Sequence, residues 1–555
     1  MIEAVNDKRH GRRNPAIHAI LLIMAAVLVL LSGCSVREQQ AGGQRGEEQQ
    51  ADEAREAVEG MPIARDRIAL TFFTGQSPNN IGPYEDKLVW KKMAERSNMD
   101  IDFRLIPFEV LANQRALALA GEELPDAFYS ARLSSAELYM YGRKGVLIPL
   151  DDYLADHAPN FYALLERYPE LRQGLTMPDG HIYSFPSFYD PEFLTMLVGM
   201  PFWVNGKWLE RLGMQEPVTT DELLAYLRAV RDTDLNGNGV QDEIPVASVG
   251  ITPLLDQLKG AFGLGNRGIA HRFVDVDKET GELRFLKADP AYRELLAFAN
   301  GLKEEGLLAR DIFSLKETAL NALGQAGLLG AAVVPNPATV MGRDEFIGLG
   351  ALQGPRGDRL YSHIKPPLIH TGAFAVTKSN PYPEETIRWM DYFFGEEGAT
   401  LFFMGEEGRT YDKKPDGSLV FKESIAQAEG GLTLDQALIP YVTWMGGSYP
   451  GFVREAYFQG SETRPEAMAS AEKARPYIPS EVWGRFNFTE EESLWMSTAG
   501  RDIERYANEA EREFVNGTLP LSEWDTYVSR LEAMGLDQYM NIYEQAYERY
   551  EATLR

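Results

Sequence analysis

The chain has one cysteine in 555 residues, and histidine is nearly as scarce, with seven copies. A single cysteine excludes an internal disulfide framework and a thiolate metal cluster, and so few histidines leave little material for a zinc or histidine-based catalytic centre. Positive charge is also in deficit, because 55 Lys and Arg stand against 82 Asp and Glu and give a formal net charge of −27. An acidic surface repels phosphate backbones, so a nucleic-acid partner is disfavoured.

The apolar content is high, at 44% hydrophobic and 11% aromatic residues. A chain of this length is too large for one ordinary core, so we predict two or more lobes. From Arg67 onward, strand-like and helix-like segments alternate, which predicts an α/β fold with a parallel sheet covered by helices. Because ligands bind beyond the carboxyl ends of the strands in such sheets, we expect Gln76 and residues 126–128 near a cleft.

The first 33 residues are typical of a secretion signal. Basic residues precede an apolar run, Ala19–Leu31, that has the length of a signal-peptide core and is short for a membrane span. The run leads into Leu31-Ser32-Gly33-Cys34-Ser35, which resembles a bacterial lipoprotein cleavage box. That resemblance implies cleavage before Cys34, with diacylglycerol on its sulfur; the alternative is an uncleaved anchor with an incidental cysteine. Residues 34–65, rich in Gln, Glu and Gly, are predicted to be a flexible tether.

Residues 232–243 have the composition of a calcium-binding loop. Calcium takes roughly six to eight hard oxygen ligands, and glycine is needed where such a loop turns through positive φ. Two registers fit the sequence. In the first, the ligand positions are Asp232, Asp234, Asn236, the Asn238 carbonyl and Glu243. In the second, they are Asp234, Asn236, Asn238, the Val240 carbonyl, Asp242 and Glu243. Because Ile244-Pro245 argues against a following helix, we predict a structural calcium loop without a complete EF-hand; the alternative is an Asn/Gly-rich turn.

Several segments carry distinctive motifs. They are Gly121–Asp126, Met177–Pro186, Trp203–Leu209, Pro217–Glu222, Asp234–Gly239, Arg388–Phe393 and Gly408–Tyr411. Together these motifs closely resemble the lipoproteins of the extracellular solute-binding protein family 1, which are common in Paenibacillus-like bacteria, serve ABC importers and are related to alginate- and maltose-binding proteins.

The resemblance implies a periplasmic-binding-protein-like fold with two α/β lobes and hinge crossings. Carried over to this chain, lobe one would hold residues 66–187 and 371–440, and lobe two would hold 200–368 and 445–555. Closure of the two lobes on a ligand is then the expected mechanism. The alginate-binding members have the second calcium register, which implies Asp234, Asn236, Asn238, Val240, Asp242 and Glu243 as ligands.

Sugars present flat C–H faces and hydroxyl rims, which aromatic rings and polar side chains match. The candidate ligand-binding residues are Gln76, Asp126, Tyr189, Trp203, Arg409, Tyr411, Trp444 and Tyr449. Glycines flank the rings of residues 444–449, so this cluster is expected to be exposed, although core packing is the usual place for a single aromatic residue. Arg409 could meet a uronate carboxylate bidentately, and a structural ion pair is an equal alternative.

The sequence thus predicts a monomeric, lipid-anchored protein on the outer face of the cell membrane. Its expected role is to capture an oligosaccharide, which could contain uronates, for the permease subunits of an ABC importer, without catalysis. One rival is a ligand-sensing partner of a membrane sensor kinase. A second rival is a lipid-anchored carbohydrate hydrolase, which would need two opposed carboxylates. Peptides and other small solutes remain open as ligands.

Overall fold

The computed structural model describes residues 61–428 and 432–552. The predicted signal peptide over 1–33, Cys34 and most of the predicted tether therefore lie outside the described residues. Residues 64–555 form one unit of the chain, separate from 1–63. Across the described ranges, no helix is both long enough and apolar enough to cross a membrane.

Two main sheets organise this unit, together with two short hairpins. The strands are β1 Ile68–Gln76, β2 Met99–Pro107, β3 Ala127–Leu133, β4 Phe185–Tyr189, β5 Phe202–Asn205, β6 Ile244–Ser248, β7 Val274–Val276, β8 Leu283–Phe285, β9 Leu329–Val333, β10 Phe346–Gly348, β11 Leu368–Val376, β12 Tyr411–Lys413, β13 Leu419–Phe421 and β14 Gly451–Val453.

Helices cover the sheets and fill the carboxyl-terminal part. They are α1 Leu88–Ser97, α2 Leu111–Ala120, α3 Ser135–Arg143, α4 Asp151–His157, α5 Pro159–Arg167, α6 Pro169–Leu175, α7 Leu194–Val198, α8 Gly206–Leu212, α9 Thr220–Arg231, α10 Thr252–Leu258, α11 Pro290–Glu304, α12 Glu317–Gln325, α13 Pro337–Val340, α14 Pro383–Tyr392, α15 Glu396–Met404, α16 Glu423–Ala426, α17 Leu434–Leu438, α18 Pro465–Ala474, α19 Glu490–Trp495, α20 Arg501–Asn516, α21 Trp524–Ala533 and α22 Leu536–Ala552.

The first lobe is built on a six-stranded sheet in the order β14-β4-β11-β3-β1-β2. β1 pairs in parallel with both β2 and β3, and Phe72 lies opposite Ala127. A side chain at Gly75 would place its Cβ 2.3 Å from the Ser130 carbonyl oxygen, so only glycine allows this close approach at the end of β1. The strand–helix–strand alternation predicted for residues 67–128 is thus confirmed.

The second lobe is built on a four-stranded sheet in the order β10-β5-β9-β6. Helix α9 covers it and begins with a capping box, in which the Thr219 hydroxyl accepts from the Glu222 amide and the Glu222 carboxylate accepts from the Thr219 amide. Leu223, Leu227 and Val230 then present one fully buried stripe to the core. The helix therefore fixes the start of the loop at 232–243.

Three chain segments cross between the two sheets. They are residues 190–201 between β4 and β5, 349–367 between β10 and β11, and 454–464 between β14 and α18. The crossings are joined by backbone hydrogen bonds, because the Tyr189 amide donates to the Pro367 carbonyl and the Lys365 amide donates to the Leu197 carbonyl, each at 2.9 Å. The predicted α/β architecture with two lobes and hinge crossings is confirmed.

One strand differs from the predicted division of the chain. β14 lies in the range 445–555 assigned to lobe two, yet it pairs in parallel with β4 and places Gly451 opposite Ser187 in the first sheet. A three-residue strand has no readable periodicity, so its sheet could not be predicted from the sequence. The other lobe boundaries stay predictions.

Candidate functional site

Backbone strain concentrates where the first sheet ends. Ser130 and Arg132, at the carboxyl end of β3, have φ values of 50° and 54°, and Ser448 has φ of 69°. Residues other than glycine pay a steric cost in this region, so such positions persist only where the surroundings fix them. Arg132 Nε donates to Ser448 Oγ at 2.7 Å across 316 positions of sequence. The strained residues therefore meet at the sheet edge where α/β proteins bind their ligands.

A neighbouring arginine holds this strained segment in place. Arg115 Nη1 donates to the carbonyl oxygens of Ala131 and Arg132, at 2.8 and 2.9 Å. Its Nε donates to Glu137 Oε1 at 2.8 Å, so the charge of Arg115 is balanced locally. The Glu137 carboxylate also accepts from the Ser134 amide at the start of α3. The backbone of the β3–α3 connection is thus fixed from both sides.

Arg132 differs from Arg115 in its surroundings, because no acidic side chain in the described ranges balances its charge. Its guanidinium lies over the Phe108 ring, 3.6 Å from the centroid. Burial lowers the pKa of the Arg132 guanidinium below its ordinary value, and no carboxylate opposes that shift. Within 61–428 and 432–552, Arg132 makes no ion pair with an acidic side chain. The side chain is therefore aligned and partly desolvated without a compensating negative charge.

The charges of this arginine and of a second one act on His370, which lies on β11. Burial, then the positive charges of Arg485 and Arg132, lower the pKa of His370 to about 4. The imidazole is therefore neutral at pH 7. Arg485 is exposed, but its neighbours Trp483 and Phe486 are buried in the core of the second lobe. We call Phe108, Arg132, His370 and Arg485 the arginine subsite.

A cavity of about 620 Å³ lies near the third crossing. Residues from both lobes line it, among them Thr339, Phe421, Asp435, Trp444, Phe458 and Glu462. Burial, then the charge of Glu462, raises the pKa of Asp435. Burial lowers the pKa of the nearby Lys365, and Glu462 opposes that shift. We call this place the acidic cavity.

The arginine subsite and the acidic cavity are linked through two consecutive residues, Ser448 and Tyr449. Ser448, the partner of Arg132, is followed by Tyr449, which is hydrogen-bonded to Tyr189. Burial, then the charge of Glu462, raises the pKa of Tyr189 to about 12. We define the arginine subsite and the acidic cavity together as the candidate binding region, with positive charge at one end and negative charge at the other.

The loop at 232–243 folds around its own side chains. The Asp234 carboxylate accepts from the amides of Gly237 and Gly239, at 2.8 and 2.9 Å, and both glycines have positive φ. Glu243 Oε1 accepts from the Leu235 and Asn236 amides, at 2.6 and 2.9 Å. Glu243 Oε2 is buried and has no hydrogen-bond partner in the described structure. A buried carboxylate oxygen without a partner is costly, and a cation would satisfy it.

Asp232, which belongs to the first calcium register alone, is placed differently from Asn236 and Asn238. Asp232 is held outside the loop by Arg231, whose Nε and Nη2 donate to its two carboxylate oxygens at 2.7 and 2.8 Å. Asn236 and Asn238 instead turn inward, and their amide nitrogens lie 2.9 and 3.2 Å from Asp242 Oδ1. In the described part of the chain, no three His, Cys, Asp or Glu side chains form a metal cluster, and this includes Asp234, Asp242 and Glu243. The buried, unpartnered Glu243 oxygen is the feature of the loop that fits a cation, and the second register stays a prediction.

Comparison with known proteins shows which of them this chain resembles in sequence and fold. No family model matches the chain. A curated relative, the fructooligosaccharide ABC transporter substrate-binding protein FusA of Streptococcus pneumoniae, is 27% identical over 96% of this chain and 98% of its own length. The polygalacturonan/rhamnogalacturonan-binding protein YtcQ of Bacillus subtilis is 22% identical over 84% of this chain and 89% of its own length. A solved structure of a FusA EF-hand mutant with fructo-nystose aligns with a TM-score of 0.71 at 25% identity, covering 87% of this chain and 99% of that one.

In sequence over nearly its whole length and in fold, the chain is similar to substrate-binding proteins of ABC transporters. The resemblance predicted from the motifs is thus confirmed.

Trp203, one of the predicted ligand-binding residues, does not lie at a cleft. Trp203 is fully buried, and its indole N–H donates to the Val334 carbonyl at 2.9 Å, so it is a core residue of the second lobe. The prediction failed because an aromatic residue on a short strand has the same appearance in sequence whether it faces a cleft or a core.

The cluster at 444–449 was expected to be exposed, and it is buried. Trp444 is 7% exposed and donates from its indole N–H to the Phe403 carbonyl at 3.0 Å, and Tyr449 is 4% exposed. A Cβ at Gly446 would lie 1.8 Å from Ser77 Oγ, so the glycine there permits a close approach of two chain segments. Trp444 nevertheless lines the acidic cavity, and Tyr449 contacts Tyr189 beside it.

The remaining predicted ligand-binding residues lie outside both the acidic cavity and the arginine subsite. Gln76 donates from Nε2 to the Asn80 and Gly82 carbonyls and so holds a turn. Asp126 accepts from the Thr71 amide at 2.7 Å and ties β3 to β1. Arg409 and Tyr411 lie near the β12–β13 hairpin: Arg409 is exposed 3.8 Å from a glutamate, whereas the Tyr411 ring is buried. Sequence reasoning missed Arg132 and His370, because neither positive φ nor a lowered pKa is visible in a residue pattern.

Proposed function

We propose that this solute-binding protein captures an oligosaccharide in the candidate binding region and delivers it to the permease subunits of an ABC importer. The observation that carries the proposal is the fixed, strained Arg132 at the carboxyl end of β3, in a fold of two lobes joined by three crossings. Support comes from FusA, named for fructooligosaccharides, and YtcQ, named for polygalacturonan and rhamnogalacturonan, which match nearly the whole chain.

Capture would proceed by hinge bending at the crossings. The crossing strands are linked mainly by backbone hydrogen bonds, with one side-chain ion pair between Arg454 and Asp190 at 3.2 Å. Residues of a hinge absorb the change in backbone angles while the lobes move as packed units. A ligand held between the lobes would stabilise the closed form by its contacts with both. A monomer is sufficient for this mechanism.

The acidic cavity supports one competing function, which is glycoside hydrolysis. Two carboxylates, Asp435 and Glu462, line the same cavity, as a glycoside hydrolase would require. Burial, then the charge of Glu462, raises the pKa of Asp435, as in a general acid. Capture without turnover predicts that incubation of the purified protein with oligosaccharides gives no new reducing ends. New reducing ends that disappear in the Asp435→Asn variant would instead make the protein a hydrolase.

We further propose that the mature protein is anchored to the outer face of the membrane through diacylglycerol on Cys34, after removal of residues 1–33. The support is the sequence pattern around the single cysteine. In cells, the Cys34→Ser variant should lose fatty-acid labelling and appear in the medium.

Calcium is the cofactor that the loop after α9 would hold. The proposed ligands are Asp234, Asn236, Asn238, the Val240 carbonyl, Asp242 and Glu243. When bound, the ion would cross-link a loop that connects α9 to β6, and its role would be structural. The existence of an EF-hand mutant of FusA supports a comparable loop in that relative.

The direct test of capture is a thermal-shift screen of the purified protein against mono- and oligosaccharides, followed by calorimetry on each ligand that stabilises it. A ligand that binds only the folded protein raises its melting temperature in proportion to the logarithm of its concentration. Failure of every saccharide to shift the melting temperature would reject oligosaccharide capture. Permease genes beside the coding sequence would support import, and a histidine-kinase gene would support sensing.

A further inference from the structure

Helix α6 of the first lobe ends with carbonyl groups that its own helix does not satisfy. The last carbonyls of an α-helix have no amide partner within the helix, and the residue four positions after Gly174 is Pro178, which has no N–H. The helix lies directly on the first sheet, since a Cβ at Gly174 would be 2.4 Å from Leu368 Cδ2 on β11. The carbonyls at this fixed helix end must therefore bond to water or to another part of the chain.

The second lobe supplies a partner through Asn487. Its side-chain nitrogen Nδ2 donates to the Gly174 carbonyl at 3.1 Å and to the Thr176 carbonyl at 2.8 Å. A side-chain amide has two N–H donors, so these two acceptors match it completely. Phe486, the preceding residue, is 3% exposed in the core of the second lobe. The amide of Asn487 is therefore presented to the first lobe from a fixed backbone.

A second contact runs in the opposite direction. Gln173, which is 3% exposed near the end of α6, donates from Nε2 to the Tyr550 carbonyl in the last turn of α22. The Tyr550 hydroxyl accepts from the Gly484 amide at 3.0 Å, which ties α22 to the segment that carries Asn487. Each lobe thus offers a side-chain amide to carbonyls at a helix end of the other lobe. We call Gln173 and Asn487, with their carbonyl acceptors, the amide latch.

The half of the amide latch on the second lobe is held by an ion pair. Arg549 Nη1 lies 3.0 Å from Glu492 Oε1, and Arg549 Nη2 donates to the Asn487 carbonyl at 3.4 Å. The Glu492 carboxylate also accepts from the Thr489 amide at 2.8 Å and so caps α19. Helix α19 packs against α3 of the first lobe. The two lobes are therefore in contact both at the amide latch and beside it.

The amide latch stabilises this contact only weakly. Asn487 Oδ1 is buried and has no hydrogen-bond partner in the described structure. A buried acceptor without a partner costs free energy, which offsets part of what the two hydrogen bonds of Nδ2 contribute. Water would satisfy all of these groups if the lobes separated. The contact can therefore form and break reversibly.

We propose that the amide latch holds the two lobes together and must open before they separate, so that it controls how fast the binding region takes up and releases its saccharide. This inference rests on the proposed capture by hinge bending. The latch lies outside the three crossings and consists of protein groups alone, so it forms with or without a bound saccharide. Without the latch, the open population rises in both states. Association and dissociation then both become faster, while the dissociation constant changes less than either rate.

Distances between two spin labels measure the separation of the lobes directly. Cys34→Ser removes the single native cysteine from the mature chain, and Asp152→Cys and Glu509→Cys provide one exposed labelling site on α4 and one on α20. Without added saccharide, the wild-type latch should give a main distance that matches the structure and a minor, longer distance. The ratio of the two populations is the quantity compared between variants.

Variants assign this ratio to the two amides. Asn487→Ala and Gln173→Ala should each lower the ratio of latched to open protein by up to about tenfold. Asn487→Asp keeps the shape but places a carboxylate against two carbonyl oxygens, so it should lower the ratio by about 100-fold. Asn541→Asp, the same change at an exposed position of α22, is the matched control and should leave the ratio unchanged.

Kestose is the probe for the exchange rates, because FusA is named for fructooligosaccharides. In stopped-flow measurements, Asn487→Ala should raise both the association and the dissociation rate by up to about tenfold and keep the dissociation constant within about threefold. A residue with a merely structural role would not speed both rates together. A melting temperature close to that of the wild type shows that a variant is folded, and the two alanine variants decide the test if Asn487→Asp does not fold.

Three outcomes would overturn the inference. The first is a wild type that lacks the label distance matching the structure. The second is an unchanged population ratio in the folded Asn487 and Gln173 variants, because the amides then do not hold the lobes together. The third is a shifted ratio with unchanged kestose rates, because opening then does not limit exchange. If no saccharide of any kind binds, the proposed function fails, and the label distances still show whether the amides hold the lobes.

Discussion

Arg132 and Ser448 are 316 positions apart, both have positive φ, and they share a hydrogen bond of 2.7 Å. Two strained residues that hold one another represent a cost in folding free energy that the surroundings must offset. Arg115 supplies part of that compensation through its two hydrogen bonds to the β3 carbonyls. The pair therefore links the end of β3 to the segment that precedes β14.

The first prediction distinguishes the effect of the backbone strain at Ser448 from the effect of the hydrogen bond that its hydroxyl accepts. At the φ of 69°, a residue with a Cβ has a steric cost of about 1–2 kcal/mol, and glycine does not. Glycine in turn gives the unfolded chain more conformational freedom, which destabilises the folded state by about 0.5–1 kcal/mol. Ser448→Gly should therefore change the free energy of unfolding by less than about 1 kcal/mol while ligand affinity falls, because Arg132 loses its acceptor. Chemical denaturation and calorimetry measure the two effects.

Ser448→Ala is the matched control, because it keeps the strain and removes the same hydroxyl. It should lose affinity as the glycine variant does, and it should be the less stable of the two. Wild-type affinity in both variants would show that the hydrogen bond to Arg132 has no part in binding.

The second prediction concerns Trp203. Phenylalanine would fill most of its buried site and leave the Val334 carbonyl without its donor, at a cost of about 1–3 kcal/mol. We expect Trp203→Phe to lower the melting temperature and to leave the dissociation constant of the captured saccharide unchanged. A large loss of affinity at unchanged stability would restore Trp203 as a ligand-binding residue.

The sequence was sufficient for the architecture and for the glycine turns of the loop at 232–243, and insufficient for the candidate binding region. The capping box at Thr219, the glycine positions of the loop and the strand–helix order depend on local rules that operate over a few residues. The subsite around Arg132 depends on contacts between segments such as 130–132 and 446–448, which are distant in sequence. Glycine-flanked aromatic residues suggested exposure at Trp444, but the close approach of Ser77 to Gly446 buries it.

The third prediction is a pH dependence of stability due to His370. Its pKa is lowered to about 4 in the folded protein, mainly by burial, against 6.5 ordinarily, so the unfolded chain takes up a proton first as the pH falls. The contribution of His370 to the free energy of unfolding is therefore present above pH 6.5 and is lost as the pH falls towards about 4. His370→Gln should flatten this slope, by on the order of 1–3 kcal/mol across the interval.

Urea denaturation at a series of pH values measures the slope. His181→Gln, at an exposed histidine 3.1 Å from Asp151, is the control for the loss of one imidazole. Identical slopes for the wild type and His370→Gln would show that His370 does not resist protonation in the folded protein.

The fourth prediction uses Asp232 as the matched control for the calcium loop. Chelation should lower the melting temperature of the wild type, and added calcium should restore it, because the ion binds only the folded loop. Glu243→Gln should abolish this response, since its buried carboxylate has an oxygen without a partner. Asp232→Asn should keep the response, because that carboxylate is bound to Arg231 outside the loop. Loss of the response in Asp232→Asn would establish the first register instead, and a wild type indifferent to chelator and calcium would mean that the loop holds no ion.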